Sequence, residues 1–307
     1  MWKATPKGSL FLLFLKIKEG SMKYNFNGLR VSNRLIASTA FEYGRGHSFF
    51  ENPWMWIWIK TGLSGISYFG AFITPTITVN EKIGNLKKSR PWTIIKIYPD
   101  KILNKKGWRN CGIDKFVNQK LPVLKRGEQK KTIVSIGALD SYLEIPLMLG
   151  RLNASKIAAV EINVSCHNVD LCFLSDFKVL QALFREARKA SQHPLGIKLN
   201  FESDYITIAK IAQDEGINFL HAINTTIAYS ESLGHCGMSS YKNKPKALKV
   251  ISDLRRSGIT IPIIGGSGIW KKRDFQDFEN SGADLFSVSH QFLYFPPWLS
   301  ILAKRVG

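Results

Sequence analysis

The stretch Ala159-Val-Glu-Ile-Asn163-Val-Ser-Cys166-His-Asn168 decides the reading of this chain. Its first half is an apolar run suited to a buried parallel strand, and its second half delivers Asn, Ser, Cys and Asn at that strand's C-terminal end. A strand that ends in chemically usable side chains is the pattern of a barrel active site. Similar β-rich runs recur on both sides of it: Leu35 to Ser38, Tyr68 to Thr74, Thr132 to Ala138, Ile157 to Val164 (which holds the apolar half of the quoted stretch), Leu195 to Leu199, Phe219 to Asn224, Ile261 to Gly265 and Leu285 to Ser289. Segments with helical periodicity or caps lie between them, namely a Trp-rich one opened by Asn52-Pro53, then Ser141 to Leu152, Ser175 to Ala190, Ser203 to Glu215, Lys244 to Ser257, Lys271 to Ser281 and Gln291 to Arg305. Eight strands alternating with helices predict an α/β fold of the (β/α)8 TIM barrel type, with a doubly wound open sheet as the competing arrangement. The stretch from Gly84 to Gln129 is too long for an ordinary βα connection and reads as an inserted segment over the C-terminal mouth of the barrel.

At 307 residues, a single barrel domain over residues 22–307 accounts for the chain, preceded by an extension, residues 1–21, outside the fold. The run Leu10-Phe-Leu-Leu-Phe-Leu15 in that extension is far short of the roughly 20 residues that span a bilayer, and no membrane span is expected. Cys111, Cys166, Cys172 and Cys236 lack the close pairing of a zinc or iron–sulfur site and read as reduced thiols of a cytoplasmic protein, with no metal site. The net charge of +20 comes from scattered pairs such as Lys87-Lys88 and Lys271-Lys272. That is a solvated basic surface, or a field steering an anionic ligand, and no nucleic-acid stripe.

Several strand ends carry candidate binding groups. Ser267-Gly268 follows the seventh strand and Ser289-His290 the eighth, where small residues let backbone N–H groups approach a phosphate. Lys198 ends the fifth strand and either snorkels to solvent or serves a buried anion. Asn224-Thr225 ends the sixth; an Asn there caps a turn or offers both a donor and an acceptor to a ligand. With Asn104 of the inserted segment, Asn163, Asn168 and Asn224 form a ring of amides complementary to a flat heterocycle. Cys166 is either an inert buried thiol or a base.

The stretch from Asn163 to Asn168 resembles the Asn-Leu-Ser-Cys-Pro-Asn signature of the dihydroorotate dehydrogenase family, and the resemblance extends over about residues 22–305. It implies a flavin mononucleotide (FMN)-dependent enzyme of pyrimidine synthesis, in which Cys166 is the catalytic base that takes a proton from dihydroorotate while hydride leaves for the flavin. A cysteine at this point is similar to the class 1, soluble branch. On the same resemblance, Lys198 stabilises the reduced flavin, and Asn104, Gly107, Asn163, Asn168, Asn224 and Thr225 hold the pyrimidine. Ser38 and Thr39 of Ile36-Ala-Ser-Thr-Ala40, together with Thr76, Asn163, Lys198, Ser267, Gly268, Ser289 and His290, would contact the cofactor. Departures are Pro75, where the family carries a lysine, and His167, where it carries proline. These leave open a flavin oxidoreductase acting on another dihydropyrimidine or a cyclic enone, or a non-catalytic flavin-binding homologue. The family is also one in which homodimers form; Trp54, Trp56 and Trp58 supply either an interface or core packing. The electron acceptor (fumarate, NAD through a partner, or a quinone) is not legible in the sequence.

Overall fold

The computed structural model describes residues 23–38, 69–85, 95–124, 126–165 and 176–289. Fourteen strands lie in these segments: β1 (Tyr24–Phe26), β2 (Leu29–Val31), β3 (Leu35–Ala37), β4 (Ala71–Ile73), β5 (Ile95–Ile97), β6 (Lys101–Asn104), β7 (Thr132–Ile136), β8 (Ala159–Asn163), β9 (Leu195–Lys198), β10 (Phe219–Ala222), β11 (Thr226–Ser230), β12 (Gly234–Ser240), β13 (Ile263–Gly266) and β14 (Leu285–Val288). Eight of them close a parallel barrel in the order β3-β4-β7-β8-β9-β10-β13-β14, with β14 pairing back onto β3. These are the eight strands read from the sequence.

The barrel closes because its strands are apolar on both faces, and alternate residues go to different cores. Val160 and Ile162 of β8, Leu195 and Ile197 of β9, and Leu220 and Ala222 of β10 pack outward among the helices. Ala159, Ile133, Phe219, Ile264 and Leu285 face the barrel interior, joined by Leu29 and Val31 from the β1–β2 hairpin. Gly196 is required there, since a Cβ on it would lie 2.1 Å from the Phe219 ring.

Five helices cover the outside: α1 (Glu144–Leu152), α2 (Phe177–Ala190), α3 (Tyr205–Asp214), α4 (Lys244–Arg256) and α5 (Lys272–Asn280). Each buries one stripe, for example Leu180, Leu183, Phe184 and Ala187 of α2. The α2 and α3 caps are Asp176 and Asp204, each one residue beyond the serine that the sequence suggested, with their carboxylates accepting from Lys178 N and Thr207 N. The helices expected at Asn52 and at Gln291 to Arg305, the three tryptophans and the N-terminal extension lie outside the described residues. Among the described residues no helix is long and apolar enough to cross a membrane.

The inserted segment contains β5 and β6, followed by short helical turns from Ile113 to Gln129. It does not stand alone. β6 pairs antiparallel with β12, and β12 with β11, giving a four-stranded sheet in the order β11-β12-β6-β5. The β11–β12 hairpin is not legible in the sequence, because Gly234, Gly237 and the serines around them weaken its strand signature.

Candidate active site

At the C-terminal ends of β4, β7, β8 and β10 the polar side chains bond to one another. Asn163 Nδ2 donates to Thr76 Oγ1 at 2.8 Å, while its Oδ1 accepts from Ser165 N and Oγ at 3.2 and 3.1 Å. Asn224 Nδ2 donates to Ser165 O and Oγ at 3.0 and 3.1 Å, and Thr225 N donates to Asn224 Oδ1 at 2.9 Å. Ser165, one of the strand-end polar residues but given no role of its own from the sequence, is therefore the hub that ties the fourth strand's amide to the sixth's. The Asn-x-Ser spacing, with a side chain accepting from a backbone N–H two residues on, was the local signal for it.

The inserted sheet brings its own residues to this mouth. Gly237 separates Thr225 from Asn104: a Cβ on Gly237 would lie 2.6 Å from Thr225 Oγ1 and 3.4 Å from Asn104 Nδ2. Asn104 also accepts from Lys106 N at 3.4 Å. Gly107 and Trp108 both have positive φ, 64° and 54°, so the loop turns back sharply on itself. Asn110 secures the turn by accepting from Thr78 N and Gly112 N and donating to Thr78 Oγ1 and Trp108 O. The Trp108 ring then lies on Gly137, just beyond β7 and beside Thr76; a Cβ on Gly137 would lie 2.4 Å from Cη2. Trp108 was not singled out in the sequence, and its indole N–H is buried without a hydrogen-bond partner among the described residues.

The loop after β13 is built on Ser267 and Gly268, both with positive φ, 73° and 104°. A Cβ on Gly268 would lie 2.6 Å from Lys244 N, so this loop runs against the start of α4. Ser267 Oγ accepts from Asn243 Nδ2, whose amide also bonds Met238 O and Thr226 Oγ1, linking the loop to the inserted sheet. Gly265 and Gly266 belong to the strand itself and serve packing; the turn rests on Ser267-Gly268 alone. Ser38, nearly buried, donates its N–H to Val288 O beside Ser289. Thr39, Cys166, Asn168 and His290 lie outside the described residues, as do Cys172 and His167.

One layer deeper the barrel interior turns polar. Lys198 is 4% exposed, and its Cα pairs with Asn163 on one side and His221 on the other. His221 reaches across the interior, with Nδ1 2.6 Å from Glu161 Oε2 and Nε2 2.8 Å from Ser287 Oγ. Burial pushes the His221 imidazole down and the Lys198 charge adds to this, against the pull of Glu161. For Glu161 burial works upward, yet the charges around it and the hydrogen bond from His221 hold the carboxyl below the usual range. These directions suit a neutral ring that donates from Nδ1 to an ionised Glu161 and takes the Ser287 hydroxyl at Nε2. No reading of the sequence had assigned Glu161, His221 or Ser287 a role.

A parallel barrel with an amide-lined mouth and a buried lysine at its floor defines a (β/α)8 enzyme scaffold with its site at the C-terminal face. A model of the dihydroorotate dehydrogenase family matches residues 60–302, and the chain belongs to that family, in its class 1-like part. It is an oxidoreductase acting on CH–CH bonds. Among the relatives, the catalytic subunit of dihydroorotate dehydrogenase B (NAD(+)) of Citrifermentans bemidjiense is 31% identical over 233 residues, covering 71% of this chain and 74% of that one. The protein of the same name from Malacoplasma penetrans is 28% identical over 282 residues, covering 87% and 85%. A solved dihydroorotate dehydrogenase from Eimeria tenella, in complex with ferulenol, superposes with a TM-score of 0.71 over 95% of this chain and 84% of its own at 19% identity, a likeness of fold.

Proposed function

We propose that the chain oxidises dihydroorotate to orotate in pyrimidine synthesis, using FMN. The observation that carries this reading is the meeting of Asn163, Ser165 and Asn224 in one bonded cluster above buried Lys198, on a chain whose family is dihydroorotate dehydrogenase. The donor set fits the cofactor: amides and hydroxyls suit a pyrimidine edge, an ammonium suits its developing negative charge, and the Ser267-Gly268 turn is too close to α4 for any larger residue at Gly268. Ser38, Thr39, Thr76, Asn163, Lys198, Ser267, Gly268, Ser289 and His290 would hold FMN, which supplies the hydride acceptor when bound.

In this reading Cys166, which follows the hub residue Ser165, takes the proton from the substrate carbon. Asn104, Gly107, Asn163, Asn168, Asn224 and Thr225 orient the dihydropyrimidine, and the sheet carrying Asn104 excludes water. Lys198 contributes fixed positive charge. The relatives' designation as a catalytic subunit of an NAD(+) enzyme supports an electron acceptor reached through a partner subunit.

The test is the visible spectrum of the purified protein, recorded anaerobically before and after dihydroorotate. A flavin band that bleaches supports the reading, and Cys166→Ala should then keep the band but slow its bleaching. A band that stays unbleached moves the substrate to another dihydropyrimidine or a cyclic enone, the alternative that Pro75 favours; absence of a band after reconstitution with FMN overturns the cofactor.

A further inference from the structure

The polar chain that crosses the barrel below the mouth has a feature that packing does not require. Glu161 is wholly buried beside its register partner Ser135; its Oε2 is bonded by His221, and Oε1 has no hydrogen-bond partner among the described residues. A buried carboxylate persists in ionised form only beside a compensating charge. Burial pushes the His221 imidazole down, so with Ser287 donating to Nε2 the ring is neutral and does not supply it. The remaining charge is Lys198, level with His221 on the neighbouring strand and two residues along from Gly196, the register partner of Glu161. Among the described residues, Glu161, His221 and Lys198 are the titratable side chains of the barrel interior; Asp274, the other buried carboxylate, pairs with Lys244 at the start of α4. The strands are shaped for this arrangement, since a Cβ on Gly266 would lie 2.0 Å from Ser287 Oγ and displace the hydroxyl from His221.

We propose that Glu161 is the counter-charge that holds Lys198 as a cation at the floor of the site, and that His221 and Ser287 are positioning residues that fix Glu161 for this task. The chain His221–Ser287 serves by being neutral: it satisfies one carboxylate oxygen without cancelling the charge that the lysine needs. The role of the cation deepens the flavin reading given above and rests on it, but the Glu161–Lys198 coupling itself does not.

Two measurements on the full chain test the two parts separately. The first is flavin-free. Nitrogen-15 NMR of the imidazoles should show His221 neutral, with its proton on Nδ1, from about pH 6 to 8; in Lys198→Met the uncompensated Glu161 should draw a second proton onto His221 within that range. An imidazole signal that Lys198→Met leaves unchanged would overturn the coupling. The second uses the FMN-loaded chain and sulfite, whose reversible binding to flavin strengthens with positive charge near the pyrimidine edge. Glu161→Gln should weaken sulfite binding about tenfold or more at pH 8, towards the level of Lys198→Met, and the deficit relative to the parent should shrink at pH 6, where solvent protons restore the cation. His221→Gln, which can still donate an N–H to Glu161, should fall between. A deficit equal at both pH values would reduce Glu161 to a packing role and overturn the proposal. If the parent takes up no flavin while the NMR coupling is found, the flavin reading fails and the Glu161–Lys198 coupling stands.

Discussion

Gly137→Ala is the sharpest perturbation of the mouth, because the new methyl meets a rigid wall. The added Cβ would sit 2.4 and 2.6 Å from Trp108 Cη2 and Cζ3 and 2.9 Å from Thr76 Cγ2. An ordinary carbon–carbon contact is about 3.6 Å, so the ring must withdraw by about 1.2 Å, and an indole cannot fold out of the way as a lysine would. Overpacking of this kind costs about 1–3 kcal/mol. With an unfolding entropy of roughly 2.1 cal/mol/K per residue, that corresponds to a fall in Tm of about 2–5 °C for a chain of this length. The displaced ring also drags the loop from Asn104 to Asn110, so the KM for dihydroorotate should rise about tenfold while FMN content is unchanged. Thermal melts and steady-state assays of Gly137→Ala, Trp108→Leu and the double variant provide the assay. In the Trp108→Leu background the alanine should cost almost nothing, a coupling nearly as large as the single effect. Costs that simply add, or a single variant that melts and binds like the parent, would refute the contact.

Ser165→Ala removes the hydroxyl shared by Asn163 and Asn224; flavin reduction should slow about tenfold for a stability loss of only about 1 kcal/mol, read by stopped-flow absorbance and urea melts. Arg255→Lys should destabilise by about 1–3 kcal/mol, since one planar guanidinium bonds Gly282 O, Ile259 O, Ile261 O and Asp284, a set no ammonium can satisfy together. Hydrogen bonds from Lys249, Tyr205 and Arg256 hold Asp253 down to about 2. Its stabilisation, about 1 kcal/mol after solvent screening, is present above the unfolded value near 4 and is lost as pH falls towards 2, so Asp253→Asn and the parent should converge in melts at the acid end. Tyr205, pushed up to about 12 by burial and Asp253, works at the other extreme. Its neutral phenol stabilises fully below about pH 10 and the contribution disappears as pH rises to 12, a loss that Tyr205→Phe should abolish.

The barrel was legible in the sequence because each of its strands is a compact apolar run, and the amides Asn163 and Asn224 because each stands at the end of one. The β11–β12 hairpin was not, since its strands are held by pairing to β6 and carry little apolar signal of their own. Nor was the Glu161–His221–Ser287 chain: each member is a single polar residue inside an apolar run, and only closure of the barrel brings strands 60 and 66 residues apart onto one imidazole. Trp108 escaped for a related reason. A tryptophan in a loop says nothing until the glycine it rests on, Gly137, is found beneath it.

The pairing of the two insertions with each other has a kinetic consequence. Because β6 and β12 share one hydrogen-bonded ladder, the segments that carry Asn104 and Thr225 are one plate and cannot open as two independent flaps. Swinging either aside breaks cross-strand bonds along the whole register from Asn104 to Lys101, or else moves the plate as a body about the loops that join it to β7 and β10. Any opening of the mouth along this ladder would therefore carry Asn104 and Thr225 together.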